Sequence, residues 1–133
     1  MGEKGKKMQA AVLSVLRRHR SALSAYELLR DFRRTNPALA PTTIYRALAA
    51  LAERGQIHRI ESRNAFVACQ HSAHEHASIL SICDGCGAVE ESVAPDLLAE
   101  LSGVAGRSGF AVRRHVVELH GRCASCCGEA PRP

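Results

Sequence analysis

The sequence predicts an α+β chain in two parts: three short helices with a two-stranded hairpin, then a small α/β unit closed by four cysteines. Three observations carry this. Charge is split, with 13 Lys/Arg against 5 Asp/Glu in residues 1–64 and 5 against 8 in residues 65–133. Cysteine is split the same way, because Cys69, Cys83, Cys86, Cys123, Cys126 and Cys127 all fall in the acidic stretch. Helical apolar spacing also gives way, after Gly55, to short extended runs.

The basic part reads as follows. Residues 1–7 look like a flexible basic arm. From Met8 to about Arg18, Met8, Val12, Val15 and Leu16 share one helical face. Ser24-Ala25-Tyr26-Glu27 is a capping box, and Leu28, Leu29 and Phe32 form the apolar stripe of the helix it opens. Asn36-Pro37 ends that helix, because the residue before proline avoids helical geometry. Pro41-Thr42-Thr43 starts a third helix, which Gly55 stops. Ile57–Ile60 and a run from Phe66 to Ala68 read as strands around a polar turn at Ser62-Arg63-Asn64.

Three helices and a hairpin in this order make a winged helix-turn-helix. In the third helix, Ile44, Leu48 and Leu51 cluster inward at about 100° per residue. Arg46 points away from them, with Ala49 and Ala50 nearby and Tyr45 on the flank. Small residues around one arginine let a helix sit deep in a major groove while the guanidinium reaches a guanine edge or a phosphate. An ordinary solvated face is the plain alternative; the surplus of basic residues favours a polyanion partner.

The acidic part is organised around Cys83-Asp84-Gly85-Cys86 and Cys123-Ala124-Ser125-Cys126, two Cys-x-x-Cys pairs 36 residues apart. Each pair can aim both sulfurs at one centre, with Gly85 and Gly87 suited to the tight turn, and four thiolates are the ligand set of a closed structural zinc. Between the pairs the sequence predicts a strand at Val89–Val93, a helix opened by Pro95 and stopped near Gly103 to Gly106, and a long strand from Phe110 to Leu119. Cys127 is surplus and reads as a non-ligand. The other donors are His58, Cys69, His71, His74, His76, Glu90, Glu91, His115 and His120. Cys69, His71, His74 and His76 crowd the junction of the two parts, where mixed donors could hold zinc reversibly and clamp the parts together. His19 reads as an ordinary surface residue.

At 133 residues and 46% hydrophobic, the chain can bury a core. It shows no apolar run of membrane-spanning length and no secretory leader, so a cytoplasmic protein is expected. Cysteines in a reducing compartment are metal ligands or redox thiols before they are structural disulfides.

These residues resemble the ferric uptake regulator family, and within it the zinc uptake regulators. The resemblance covers about residues 8–127. It rests on Ser24-Ala25-Tyr26-Glu27-Leu28-Leu29, Pro41-Thr42-Thr43-Ile44-Tyr45-Arg46-Ala47-Leu48, Cys83-Asp84-Gly85-Cys86-Gly87 and His120-Gly121-Arg122-Cys123-Ala124-Ser125-Cys126. It implies a winged-helix DNA-binding domain over residues 1–68, a hinge over 69–76 and an α/β dimerisation domain over 77–133. It further implies a zinc-responsive homodimeric repressor of zinc-uptake genes, with zinc as corepressor on palindromic operators and two zinc ions per chain. The structural ion falls to Cys83, Cys86, Cys123 and Cys126, and the regulatory one to His58, Cys69, His76 and Glu91. Tyr26 and Arg46 match positions that touch bases, with Thr42, Thr43 and Tyr45 as further DNA contacts. The His-His-x-His-x-x-Cys run of iron and peroxide sensors is absent, and a thiol at Cys69 favours zinc over iron. No third metal site at His74, His115 or His120 is expected.

Three other readings compete. A cytidine-type zinc deaminase needs a histidine where Ala73 stands before Glu75, and a proline before Cys83. No HExxH, phosphate loop or Gly-x-Ser-x-Gly is present, so the chain reads as no enzyme, without a small organic substrate. A redox sensor would use the Cys-x-x-Cys pairs as disulfide switches, and a zinc-ribbon interaction module would use them as a scaffold.

Overall fold

A computed structural model describes residues 2–70 and 78–127. The chain divides into two compact units, Met1–Ser72 and Ala73–Pro133.

The first unit opens with α1, Glu3–Arg18. The helix thus begins inside the stretch expected to be a flexible arm. Glu3 sits in its first turn, where the helix dipole favours an acid, and Lys4, Lys6 and Lys7 are good helix formers that can stay in water. Arg17 and Arg18 suit its C-terminal end, and Val12, Leu13, Val15 and Leu16 form its buried face. A two-residue strand, β1 (Leu23–Ser24), follows; it is too short to leave a sequence pattern. Ser24 then caps α2, Ala25–Phe32, with the reciprocal bonds expected of a capping box: Glu27 N–H donates to Ser24 Oγ at 3.0 Å, and Ser24 N–H donates to Glu27 Oε1 at 2.9 Å.

Proline at the start sets α3, Pro41–Glu53, where its missing N–H costs nothing. Gly55 takes φ 75°, and Gln56 N–H reaches back to Leu51 O at 3.0 Å, so the helix stops where the glycine permits it. β2 (Ile57–Ile60) and β3 (Ala65–Ala68) pair antiparallel from Ile57↔Ala68 to Ile60↔Ala65, and β1 joins the far side of β3. Asn64 turns the hairpin at φ 50°, a left-handed conformation asparagine tolerates. Val12, Leu16, Leu28, Ile44, Leu48, Leu51 and Ile57 make one core among the helices and the sheet. The unit is a winged helix-turn-helix.

The second unit is a three-stranded sheet in the order β5-β4-β6. β4 (Ser78–Cys83) is central, antiparallel to β5 (Val89–Val93) and parallel to β6 (Glu118–Gly121). Between β5 and β6 lies α4, Pro95–Gly106, and α5, Ala124–Cys127, closes the described part. β4 was not among the expected elements; Ile79, Leu80 and Ile82 are all buried, so this central strand has no polar face to announce it.

The long strand expected from Phe110 to Leu119 is not formed. Only Glu118 and Leu119 of that run belong to β6, and residues 110–117 have no regular structure. β4 already has a neighbour on each edge, and its register with β6 begins at Leu80↔Glu118. The apolar pattern before it therefore has no strand to pair with among the described residues. Phe110 stays 64% exposed and Val116 48%. Leu97, Leu101 and Val104 likewise form an exposed stripe on α4, whereas Leu98 is buried. Among the described residues, no helix is long and apolar enough to cross a membrane.

Candidate metal centre and nucleic-acid interface

The end of β4 builds the candidate metal centre. Cys83 pairs with Gly121 in the parallel ladder, and Asp84 N–H donates to Gly121 O at 2.7 Å, which brings the turn after β4 against the chain leading into α5. Gly87 closes that turn at φ 79°, its N–H donating to Cys83 O at 2.9 Å. Gly85 has another task. A Cβ there would lie 3.0 Å from Cys126 Sγ and 3.4 Å from Cys126 Cβ, so its bare backbone makes room for the second Cys-x-x-Cys pair.

The sulfurs of Cys83, Cys86, Cys123 and Cys126 all lie within 4.8 Å of one another. Cys86 Sγ and Cys123 Sγ are 3.7 Å apart. A tetrahedral zinc with ~2.3 Å bonds to sulfur separates its ligand sulfurs by about 3.8 Å, so the four residues fit such an ion. Cys83 Sγ also accepts backbone N–H bonds from Gly85 (3.3 Å), Cys86 (3.4 Å) and Cys123 (3.3 Å). The amide of Cys123 and then that of Cys86 bring the Cys83 thiol down to about 5, against the opposing effect of burial. Cys123 is lowered too, first by the amide of Cys126 and then by the thiol of Cys86. Hydrogen bonds with Cys83, Cys123 and Cys86, in that order, push Cys126 up to about 12. Crowded sulfurs cannot all ionise unless a cation settles their charge.

The other donors are placed as follows. His58 lies on β2 opposite Val67, and Cys69 just after β3, its N–H donating to Gln56 O at 2.9 Å. Their ligand atoms lie within 4.8 Å of each other. Glu91, on β5 opposite Leu80, is 6% exposed, unusual burial for a carboxylate. His71, His74 and His76, with most of the expected hinge, lie outside the described residues, as does the side chain of Cys127. His115 Nε2 is 2.8 Å from Ser102 Oγ. His120 lies between Asp84 (3.9 Å) and Glu118 (3.6 Å).

On α3, Ile44, Ala47, Leu48 and Leu51 are buried. Thr42, Tyr45, Arg46 and Ala49 are exposed, and Thr43 is half-buried. Arg46 has no hydrogen bond or ion pair among the described residues, leaving its guanidinium available. Tyr26 on α2 is 68% exposed, which is high for an aromatic ring. Sequence reasoning missed the fastening of the wing. Arg59 Nε and Nη2 both donate to Asn64 Oδ1, at 3.2 and 2.9 Å, while Nη1 meets Glu61 at 2.7 Å. The asparagine of the turn was the only signal available.

Among protein families, the ferric uptake regulator family matches residues 1–120. The zinc uptake regulation protein of Escherichia coli K12 is 41% identical over 116 residues, 86% of this chain and 68% of that protein. The zinc uptake regulation protein of Mycobacterium tuberculosis is 27% identical over 128 residues, 94% of this chain and 95% of that one. Among solved structures, a zinc uptake regulator complexed with zinc and DNA superposes with a TM-score of 0.85 at 39% identity, covering 92% of this chain and 82% of its own.

Proposed function

Because the chain belongs to the ferric uptake regulator family, we propose that it is a zinc-responsive repressor that binds palindromic operators of zinc-uptake genes as a homodimer. It has no catalytic role. The observation that carries this reading is the likeness, along most of the chain, to a regulator solved with both zinc and DNA.

The first unit supplies the DNA contacts. Arg46 and Tyr45 read the major groove from α3, Thr42 and Thr43 approach the backbone at its start, and Tyr26 adds a contact from α2. The dimerisation domain, residues 77–133, supplies the contact between copies. The exposed stripe of Leu97, Leu101 and Val104, together with Phe110 and Val116, supports burial against a second copy.

Each chain holds two zinc ions. Cys83, Cys86, Cys123 and Cys126 hold the structural one, and the fit of their sulfur spacing supports that assignment. His58, Cys69, His76 and Glu91 hold the regulatory one. The nearness of His58 to Cys69 and the burial of Glu91 support this set. Zinc there supplies a reversible bond between residues 1–68 and 77–133, across a hinge at 69–76. A palindrome accepts two recognition helices at one spacing only, so fixing the hinge raises the fraction of dimers able to bind. The protein works in the cytoplasm, where thiols stay reduced.

A fluorescence-anisotropy titration of operator DNA against buffered free zinc, with iron and manganese as comparators, tests the proposal. Binding that rises with zinc alone is expected. Binding indifferent to all three metals overturns it.

A further inference from the structure

One pairing on α2 is left unused by this reading. The Arg30 guanidinium carbon lies 5.7 Å from the centre of the Tyr26 ring, within cation–π range. The two residues are four apart, one turn along the same helix face, and both are exposed. Three other arginines of this unit are occupied elsewhere: Arg33 donates to Leu39 O at 3.0 Å, Arg54 to Gln9 Oε1 at 2.5 Å, and Arg59 to Asn64. Arg30 makes no hydrogen bond or ion pair with any described residue, so the ring is its partner.

We propose that Arg30 is a positioning residue for sequence recognition, its guanidinium fixing the plane of the Tyr26 ring so that the tyrosine meets a base. The proposal rests on the DNA-binding reading above. An exposed tyrosine samples several rotamers, and ordering it on binding costs entropy. A planar cation on its outer face removes part of that freedom beforehand. Arginine suits the task because it stacks flat, which a lysine ammonium cannot do. The same guanidinium keeps its edge free to donate to a neighbouring phosphate, so one side chain both orients the reader and anchors it.

The test uses the full-length, zinc-loaded protein with two probes: a duplex it selects from a random-sequence pool, and a scrambled duplex of equal composition. Arg30→Gln should weaken binding to both, with a further loss of roughly two- to fivefold confined to the selected duplex. That extra loss should vanish in a Tyr26→Ala background. Arg30→Lys should restore the salt dependence while the extra loss on the selected duplex persists. In the free protein, NMR should show ring-current shifts on the Arg30 δ-methylene protons that Tyr26→Ala removes. Absent shifts, equal losses on the two duplexes, or an extra loss that persists without Tyr26 would each overturn the role given to Arg30. A wild-type protein that selects no duplex overturns the DNA reading itself; one that selects a duplex while Arg30→Gln is neutral overturns only this proposal.

Discussion

Gly85→Ala tests the metal centre through a single methyl group. The new Cβ would stand 3.0 Å from Cys126 Sγ. Ordinary contact between such atoms begins near 3.5 Å, so the sulfur must retreat by about half an ångström. Zinc–sulfur bonds tolerate only about 0.2 Å of misplacement, and the loop backbone is held by the ladder at Cys83 and by the bond from Asp84 to Gly121. Changes of this kind beside a metal typically weaken binding by about 10- to 100-fold. Tenfold corresponds to about 1.4 kcal/mol of folding stability when the metal binds only the folded form. For a unit this small, that lowers the melting temperature by roughly 5–10 °C. Competition against a chromophoric chelator measures the affinity, and calorimetry measures the melt. Gly103→Ala is the control: it lies in α4, where a Cβ would meet nothing within 4 Å, and should gain up to about 1 kcal/mol from helix propensity. Gly85→Ala protein with wild-type zinc affinity and an unchanged melt would refute the reasoning.

Cys83→Ser removes the sulfur on which three amides converge, so the second unit should lose its zinc and, with it, on the order of 10 kcal/mol of metal-linked stability. Native mass spectrometry showing a stable dimer at full melting temperature would count against a structural role. Arg46→Ala should cost about 1–3 kcal/mol on the operator and relax base preference at one position, whereas an equal loss on random DNA in the same anisotropy assay would reduce Arg46 to a phosphate contact. Cys69→Ala should leave the fold and the four-sulfur zinc intact while abolishing the zinc dependence of operator binding; a mutant that still responds to zinc removes Cys69 from the sensor. Leu101→Glu places a charge on the exposed stripe of α4 and should give a folded monomer in analytical ultracentrifugation, so a persistent dimer would place the interface elsewhere.

Much of the first unit could be read in advance because its signals are local. A capping box, a proline at a helix start and a glycine at a helix end each act within four residues, and Ser24, Pro41 and Gly55 all behave as their chemistry requires. The four cysteines were legible for a similar reason, since their spacing is itself the ligand geometry. What failed depended on partners far away in the chain. β4 has no alternation because it is buried from both sides, and the residues from Phe110 onward carry a strand-like apolar pattern that one copy of the chain does not use. Gly85 was legible as a turn glycine but not as the space into which Cys126 fits, a fact created only when the two pairs meet. The pairing of Arg30 with Tyr26 lies between these cases: its four-residue interval is visible in the sequence, but only the folded helix shows the guanidinium over the ring.

The parallel pairing of β4 with β6 has a consequence for how the protein is made. A hairpin cannot join parallel strands, so the chain must run out through α4 and return before the ladder can close. Cys83 and Cys123, which meet at the end of that ladder, are 40 residues apart. Cross-linking a loop of this length removes disorder from the unfolded chain worth about 4 kcal/mol, and a tetrathiolate zinc does so without oxidation. Pairings of this non-local kind form slowly, whereas the helices of the first unit can form from neighbouring residues as they leave the ribosome. A chain synthesised while zinc is scarce would carry a folded head and an unfinished tail, exposed to proteases for as long as the ion is missing. The amount of finished repressor, and not only its occupancy, would then keep a record of the zinc present at its synthesis.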